Sequence, residues 1–139
     1  MSAHSSRRQA RELALQALYG TEVGKRQPDE MLTETLARTD SSEIRAFVRD
    51  LVLGTLEHEQ ESDALVAPLL EGWTLDRLPT IDRIVLRTAA FELVHRKEIE
   101  PAIVLNEAVE LAKKFSTEDS GRYVNGVLAR LLAQSSAAR

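Results

Sequence analysis

Cysteine is absent from this sequence, and proline, glycine and long apolar runs are scarce. The absence of cysteine excludes disulfides and cysteine-ligated zinc or iron–sulfur sites. No apolar stretch approaches the ~18 residues of a membrane span. The first residues, MSAHSSRRQARE, also lack the apolar core of a secretory signal. We therefore expect a cytoplasmic protein without a membrane segment.

Acidic residues are also missing from the start of the chain, where Arg7, Arg8 and Arg11 all precede the first acid, Glu12. The net charge is −4 for the whole sequence and +3 for residues 1–11, which leaves −7 for the remainder. Cations at an exposed helix N-terminus are penalised by ~0.3–1 kcal/mol each. Three arginines there suggest that phosphate supplies the opposite charge, and they indicate local binding of nucleic acid.

Apolar residues recur with a helical period along nearly the whole chain, and no segment alternates convincingly with period two. The sequence therefore predicts an all-α protein with about seven helices. The first runs from Ser5 or Ser6 to about residue 24, with Leu15 and Tyr19 along the Arg8 edge. Its core stripe lies beside this basic-aromatic edge and consists of Ala10, Leu13, Ala14, Ala17 and Leu18.

Pro68 is the predicted subdomain boundary, because it breaks a third helix that is capped by Asp40 and extends to about residue 66. The two predicted subdomains are residues 1–67 and 68–139. In the second, residues 71–78 form a short helix or turn, which is followed by three longer helices. Prolines open two of these, and Ser116 or Thr117 can cap the last.

Sequence patterns for catalysis or metal binding are incomplete. His58 opens a zinc-helix pattern that fails because Ser62 occupies the position of its second histidine. Gly121 and Gly126 have the spacing of a phosphate loop, but apolar residues follow in place of Lys and Ser or Thr. We therefore assign Gly126 to close helix packing.

A run of alternating acids is predicted to form a solvated helix face rather than an acid–base pair; it consists of Glu57, Glu59, Glu61 and Asp63. The sequence predicts no catalytic residue, metal ligand or cofactor.

A second basic cluster lies near the start of the last helix, where Arg122 and Tyr123 follow Asp119. A cation beside a ring suits single-stranded nucleic acid, since base stacking on the ring contributes ~1–3 kcal/mol per base. The alternative is that Tyr123 is a half-buried edge of the core and Arg122 a plain surface residue. Asp119 could hold the arginine or repel nucleic acid. RNA is favoured over duplex DNA, because recognition of unpaired bases by aromatic rings is typical of RNA binding.

Four segments of the sequence follow the pattern of one family. They are RRQARELALQALY (7–19), IDRIVLRTAAFEL (81–93), LNEAVELAKKF (105–115) and YVNGVL (123–128). In order, spacing and total length the chain resembles the NusB family of transcription antitermination factors.

The resemblance implies two small helical bundles, of three and then four helices, that form one compact domain. It implies an RNA-binding protein without catalysis that binds the single-stranded boxA element of ribosomal RNA leaders. NusB-like proteins bind it together with NusE, which is also a ribosomal protein. The complex joins elongating RNA polymerase with other Nus factors and suppresses termination.

The resemblance also assigns site residues, and it makes the two basic clusters one RNA surface. Tyr123 stands where the family usually has Phe, and Asp82 where it often has Glu. The acidic remainder would steer the approach of a basic ribosomal protein. The residues assigned to RNA are Arg7, Arg8, Arg11, Asp119, Arg122 and Tyr123, and those assigned to NusE are Tyr19 and Asp82.

Two rival functions and one addition remain open at this point. The chain could be a helical adaptor whose arginines contact an acidic protein. It could be the RNA-binding front of a ribosomal RNA cytosine methyltransferase, although such enzymes need reactive cysteines and a further domain. In addition, a homodimer could form through Leu15 and Tyr19 and compete with RNA and NusE.

Overall fold

The computed structural model describes the backbone of residues 3–137 and the side chains of residues 5–135. The regular elements in this range are helices, which confirms the predicted all-α class. The α-helices are α1 (Ala3–Glu22), α2 (Pro28–Leu36), α3 (Ser42–Glu57), α4 (Glu59–Val66), α5 (Thr80–His95), α6 (Pro101–Phe115) and α7 (Glu118–Ala137), and 3₁₀ turns occur at Ala67–Leu69 and Leu75–Arg77.

The helices form two compact units, Met1–Glu57 with α1–α3 and His58–Arg139 with α4–α7. The arrangement of three plus four helices is confirmed, but its elements differ from those expected. The third helix stops at Glu57, because His58 leaves the helical conformation (φ −104°, ψ 19°) before α4 begins. Residues 71–78 contain only the turn Leu75–Arg77.

The division between the units falls earlier than the predicted boundary at Pro68. It falls there because α4 packs against α5 and α7 and so belongs to the second unit. Proline does end α4, through the 3₁₀ turn Ala67–Leu69 that follows it.

In the first unit, α1 packs on α3 and on α2. The predicted stripe of α1 is buried, and so is Leu15, which the sequence placed on the arginine edge. The start of α3 is capped by Ser41, whose Oγ accepts a hydrogen bond from the amide of Ile44 at 3.2 Å. The cap is therefore Ser41 and not Asp40, as the sequence suggested.

In the second unit, α6 packs on α7 and α5 contacts both of them as well as α4. The apolar α5 is thus central, as its sequence predicted, and Phe91 is among its fully buried side chains. Thr117 caps α7, since its Oγ1 accepts a hydrogen bond from the amide of Ser120 at 3.0 Å. Within residues 3–137, none of the helices is both long enough and apolar enough to cross a bilayer.

The close approach between α6 and α7 is at Gly121 rather than at Gly126, where the sequence placed it. A Cβ on Gly121 would lie 2.4 Å from Cγ of Lys113, whereas a Cβ on Gly126 would meet only the guanidinium of Arg130 at 3.5 Å. Gly121 is also buried. The packing role therefore belongs to Gly121.

These two glycines differ in their expected response to the same added methyl group. Gly126→Ala should raise the free energy of unfolding by ~0.5–1 kcal/mol, because glycine is unfavourable inside a helix. Gly121→Ala should lower it by ~1–3 kcal/mol, because the new atom overlaps Lys113 near its backbone. Urea denaturation measures both, and each variant is the control for the other. Equal stabilisation by both substitutions would show that Lys113 moves aside at no cost.

Candidate nucleic-acid interface

The first group of predicted site residues lies along the start of α1, which has no acid in its first turn. Phe47 of α3 lies beneath two of the arginines: the guanidinium carbon of Arg7 is 5.2 Å from the ring centroid and that of Arg11 is 5.3 Å. A cation over an aromatic face gains ~0.5–1 kcal/mol at an exposed site and more when it is desolvated. The ring therefore offsets part of the charge that gathers at this helix end.

The three arginines differ in exposure. Arg8 is exposed and Arg7 is half-buried, but only 3% of Arg11 is exposed. The sequence treated them as equivalent residues beside the core stripe. In the structure, Arg8 is an exposed residue, whereas Arg11 is buried with its guanidinium over the Phe47 ring. Of the three, Arg8 is best placed to meet a phosphate, and Arg11 is placed to hold the ring that also supports Arg7.

The second group lies at the start of α7 in the other unit. Arg122 forms an ion pair with Asp119 one turn earlier, and both side chains are highly exposed, at 73% and 85%. An exposed ion pair of this kind contributes ~0–1 kcal/mol. Arg122 can therefore exchange Asp119 for a phosphate at little cost.

The sequence left open whether Tyr123 stacks on a base or forms a half-buried edge of the core, and its hydrogen bonds bear on this question. The ring is half-buried, and its hydroxyl accepts a hydrogen bond from the amide of Glu71 at 3.0 Å and donates one to the carbonyl of the same residue at 3.2 Å. Arg130 binds the same segment, because it donates hydrogen bonds to the carbonyl of Leu69 at 2.8 and 3.2 Å. Two side chains of α7 thus fix residues 69–71, and Tyr123 is half-buried rather than part of the fully buried core.

A cavity of about 340 Å³ lies beside Tyr123 in the second unit. It is lined by Trp73, Leu78, Pro79, Asp82, Thr117, Asp119, Ser120 and Tyr123. Asp82 is 3% exposed, and its Oδ1 is the one buried side-chain oxygen or nitrogen of the described residues that has no hydrogen-bond partner. An unpaired buried acceptor costs ~1–3 kcal/mol, and more if it is charged. Because this oxygen is itself buried, a ligand in the cavity reaches it only if the residues around it move.

Trp73 is a site residue to which the sequence analysis gave no role. It lines the cavity and is 50% exposed. Gly72 precedes it with φ +77°, a conformation that glycine adopts at little cost. The chain's single tryptophan, directly after a glycine in a segment between helices, was the available signal.

The structure therefore brings together some of the predicted residues and keeps others in separate units. Asp82, Asp119 and Tyr123 line one cavity, so one residue assigned to NusE lies beside two that were assigned to RNA. Tyr19, the other residue assigned to NusE, is 40% exposed on α1 of the first unit. Convergence of the α1 and α7 groups on one strand remains a prediction.

Comparison with known proteins identifies the family. The NusB family model matches residues 8–133. A protein of Geobacillus kaustophilus that is named transcription antitermination protein NusB is 45% identical over 127 residues, which cover 91% of this chain and 95% of the relative. A protein of the same name from Symbiobacterium thermophilum is 41% identical over 136 residues, which cover 91% and 89%. The chain belongs to the NusB family.

A solved structure agrees with this assignment. A crystal structure of the antitermination factors NusB and NusE in complex with double-stranded RNA matches with a TM-score of 0.86 and 29% identity. The match covers 94% of this chain and 98% of the other.

The hydroxyl of Tyr123 should contribute to stability independently of any ligand. Tyr123→Phe should lower the free energy of unfolding by ~0.5–1.5 kcal/mol, because it removes the bonds to the backbone of Glu71. It should also speed amide hydrogen exchange at Glu71. Denaturation and NMR hydrogen exchange measure the two effects, with Tyr19→Phe as the control that removes a hydroxyl elsewhere. Unchanged exchange at Glu71 would refute the anchoring role.

Proposed function

We propose that this chain is a non-catalytic transcription antitermination factor that binds RNA together with NusE. The observation that carries the proposal is its identity of 41–45% to curated antitermination proteins over 91% of its length. The site geometry supports the RNA part, because an exposed arginine lies near each of two helix starts and a cavity lined by two aromatic side chains lies beside the second.

Phosphates are the proposed ligands of the exposed arginines. Arg8 on α1 is an exposed residue, and the side chain of Arg122 on α7 is 73% exposed. Arg7 would add a partly buried contact, and Arg11 would act by fixing Phe47 beneath it. One strand that runs past both groups would unite them as a single RNA surface.

An unpaired base is the proposed occupant of the cavity beside Tyr123. Base rings stack on aromatic side chains, here Tyr123 and Trp73, with ~1–3 kcal/mol per base. Asp82 also lines the cavity, but its Oδ1 is buried, so a base amino or imino group would donate a hydrogen bond to it only after a neighbouring side chain moves. Such insertion requires a base that is not in a duplex, which supports the single-stranded boxA element of ribosomal RNA leaders as the target.

NusE is the proposed protein partner, and the residues assigned to it are the exposed Tyr19 and Asp82, which is buried and lines the cavity beside Tyr123. The net charge of −7 outside residues 1–11 favours a basic ribosomal protein. Elongating RNA polymerase and other Nus factors would then complete the assembly in the cytoplasm, with no cofactor required.

An adaptor complex and a homodimer are the two alternatives to an assembly with RNA and NusE. An adaptor without an RNA role would use the same arginines on an acidic protein. A homodimer through α1 would have to rely on Tyr19, because Leu15 is buried and offers little area. Measurement of the protein's mass in solution, with and without RNA, distinguishes the homodimer.

Titration of RNA into the protein alone and into its mixture with NusE tests the proposal. The three probes are a single-stranded boxA RNA, a scrambled strand of the same length and the boxA strand annealed to its complement. The proposal expects the boxA strand to bind most tightly and NusE to strengthen that binding. Equal affinity for the boxA and scrambled strands with NusE present would contradict sequence recognition, and no RNA binding at all would favour the adaptor.

We expect two arginines of α1 to have different roles: Arg8 contacts RNA, and Arg11 supports the fold. Arg8→Ala should reduce the magnitude of the salt slope of RNA binding by ~0.7, the contribution of one phosphate on a single strand. Arg11→Ala should lower the free energy of unfolding by ~1–3 kcal/mol, because a packed long side chain is lost, and should leave the slope of the folded protein near its original value. Fluorescence anisotropy at several salt concentrations and urea denaturation provide the two measurements.

Arg26→Ala is the matched control for these variants. Arg26 is a cation of the same unit that lies outside the proposed RNA surface, and Glu30 and Glu34 bind its guanidinium at 3.2 and 2.5 Å and raise its pKa above the ordinary value. Its removal should leave RNA binding unchanged. A slope that falls equally for Arg8→Ala and Arg26→Ala would reveal a general charge effect in place of a contact.

Asp119→Asn should strengthen RNA binding, because it removes a negative charge near the strand and releases Arg122. The expected gain is ~0.2–1 kcal/mol, comparable to an exposed ion pair. Glu118→Gln removes the same charge from the neighbouring position and controls for the general effect of charge. A weaker complex for Asp119→Asn alone would mean that Asp119 positions Arg122 for RNA.

A further inference from the structure

A cluster outside the proposed RNA surface contains two of the chain's three histidines. His58 lies at the break before α4, Glu61 in the first turn of α4, and His95 at the end of α5. Nε2 of His95 is 3.0 Å from Oε1 of Glu61, and Nδ1 of His58 is 3.4 Å from Oε2 of the same carboxylate. One ligand atom from each residue lies within 4.8 Å of the other two.

The packing of the rings holds this cluster in place. The imidazoles of His58 and His95 stack with their centroids 3.9 Å apart, and they stack against the buried Phe91 at 5.6 and 5.8 Å. The two imidazoles are therefore placed beside the Glu61 carboxylate by their packing on a buried apolar side chain.

The neighbouring acids of the same run are engaged elsewhere. Arg87 of α5 binds Glu59 at 3.0 Å and Asp63 at 2.7 Å. Glu61 alone of these three faces the histidines. Three of the four acids in the run that the sequence predicted to be a solvated face thus bind either an arginine or a histidine pair.

The donor set and its spacing suit a transition metal. Two neutral imidazoles and one carboxylate are typical ligands of Zn²⁺, and ligand atoms about 2.0–2.1 Å from a tetrahedral ion lie roughly 3.3–3.4 Å from one another. Measured to one carboxylate oxygen, Oε2 of Glu61, the distances are 3.1 Å from Nε2 of His95 and 3.4 Å from Nδ1 of His58, and both are close to that spacing. The two rings are 27° from parallel, so one must turn for both nitrogens to point at a common ion.

We propose that His58, Glu61 and His95 bind one divalent transition-metal ion, of which Zn²⁺ is the best fit, with water in the remaining coordination position. Binding uses Nδ1 of His58 and Nε2 of His95, which leaves each ring proton on the other nitrogen. The ion would join the start of α4 to the end of α5 and would stabilise the folded second unit by mass action. This proposal does not depend on RNA binding.

Calorimetric titration of Zn²⁺ into the untagged full-length chain tests the proposal. We expect one ion per chain and a rise in the melting temperature, whereas Mg²⁺, which prefers oxygen ligands in octahedral geometry, should bind far more weakly. Co²⁺ should give the visible absorption of a tetrahedral site. Absence of Zn²⁺ binding, or several weak ions per chain, would overturn the proposal.

Variants locate the site. His95→Ala and Glu61→Gln should each weaken Zn²⁺ binding by at least ~10–100-fold, the loss that follows even the removal of an outer-shell partner. His4→Ala, which removes the third histidine of the sequence, is the matched control and should bind Zn²⁺ normally. Circular dichroism checks that each variant is folded.

If His95→Ala does not fold, NMR of the unaltered chain decides the question. Zn²⁺ should shift the ring resonances of His58 and His95 and leave those of His4 in place. Shifts centred on His4 would assign the ion to the N-terminus and refute the proposed site.

Discussion

Charge balance at the start of α1 is the constraint on which the proposed RNA surface depends. Each cation at this end of a helix destabilises it by ~0.3–1 kcal/mol, and a cation over an aromatic ring stabilises the fold by a similar amount. Because Arg7 and Arg11 both lie over Phe47, part of this balance is achieved inside the first unit. The charge at this helix end therefore needs less compensation from RNA than the sequence alone indicated. RNA binding is better supported by the exposure of Arg8 and by membership of the NusB family.

In the second unit the corresponding constraint is the unpaired Oδ1 of Asp82. A buried acceptor is retained at a cost in stability, and a donor supplied by a ligand removes that cost. A base and a cationic side chain of NusE can both supply an N–H group. Because Asp82 shares its cavity with Asp119 and Tyr123, the two proposed partners would meet there. Either RNA and NusE occupy different parts of the cavity, or only one of them forms a hydrogen bond with Oδ1 of Asp82.

The sequence predicted the fold well where local patterns determine it. Helical periodicity gave the all-α class, and Pro101 was placed correctly at a helix start. Of the two caps that the sequence offered for the last helix, Ser116 and Thr117, the structure uses Thr117. The sequence prediction failed where tertiary contacts determine the structure. The helix breaks at His58, although no proline or glycine stands there. Helices α6 and α7 approach most closely at Gly121, because Lys113 of α6 lies opposite it. The site shows the same limit. Exposure separates Arg8 from Arg11, and exposure depends on the position of Phe47, which helix periodicity alone does not reveal.

The histidine cluster shows why spacing along one helix is an incomplete test for a metal site. The zinc-helix pattern asks for a second histidine four residues after the first, and Ser62 stands there. The structure supplies the second imidazole from α5, because α4 packs on α5 and brings His95 to Glu61. Arg87 engages Glu59 and Asp63 on the same pair of helices. The packing that makes α4 part of the second unit therefore also creates the cluster, so both features follow from the chain leaving the helix at His58.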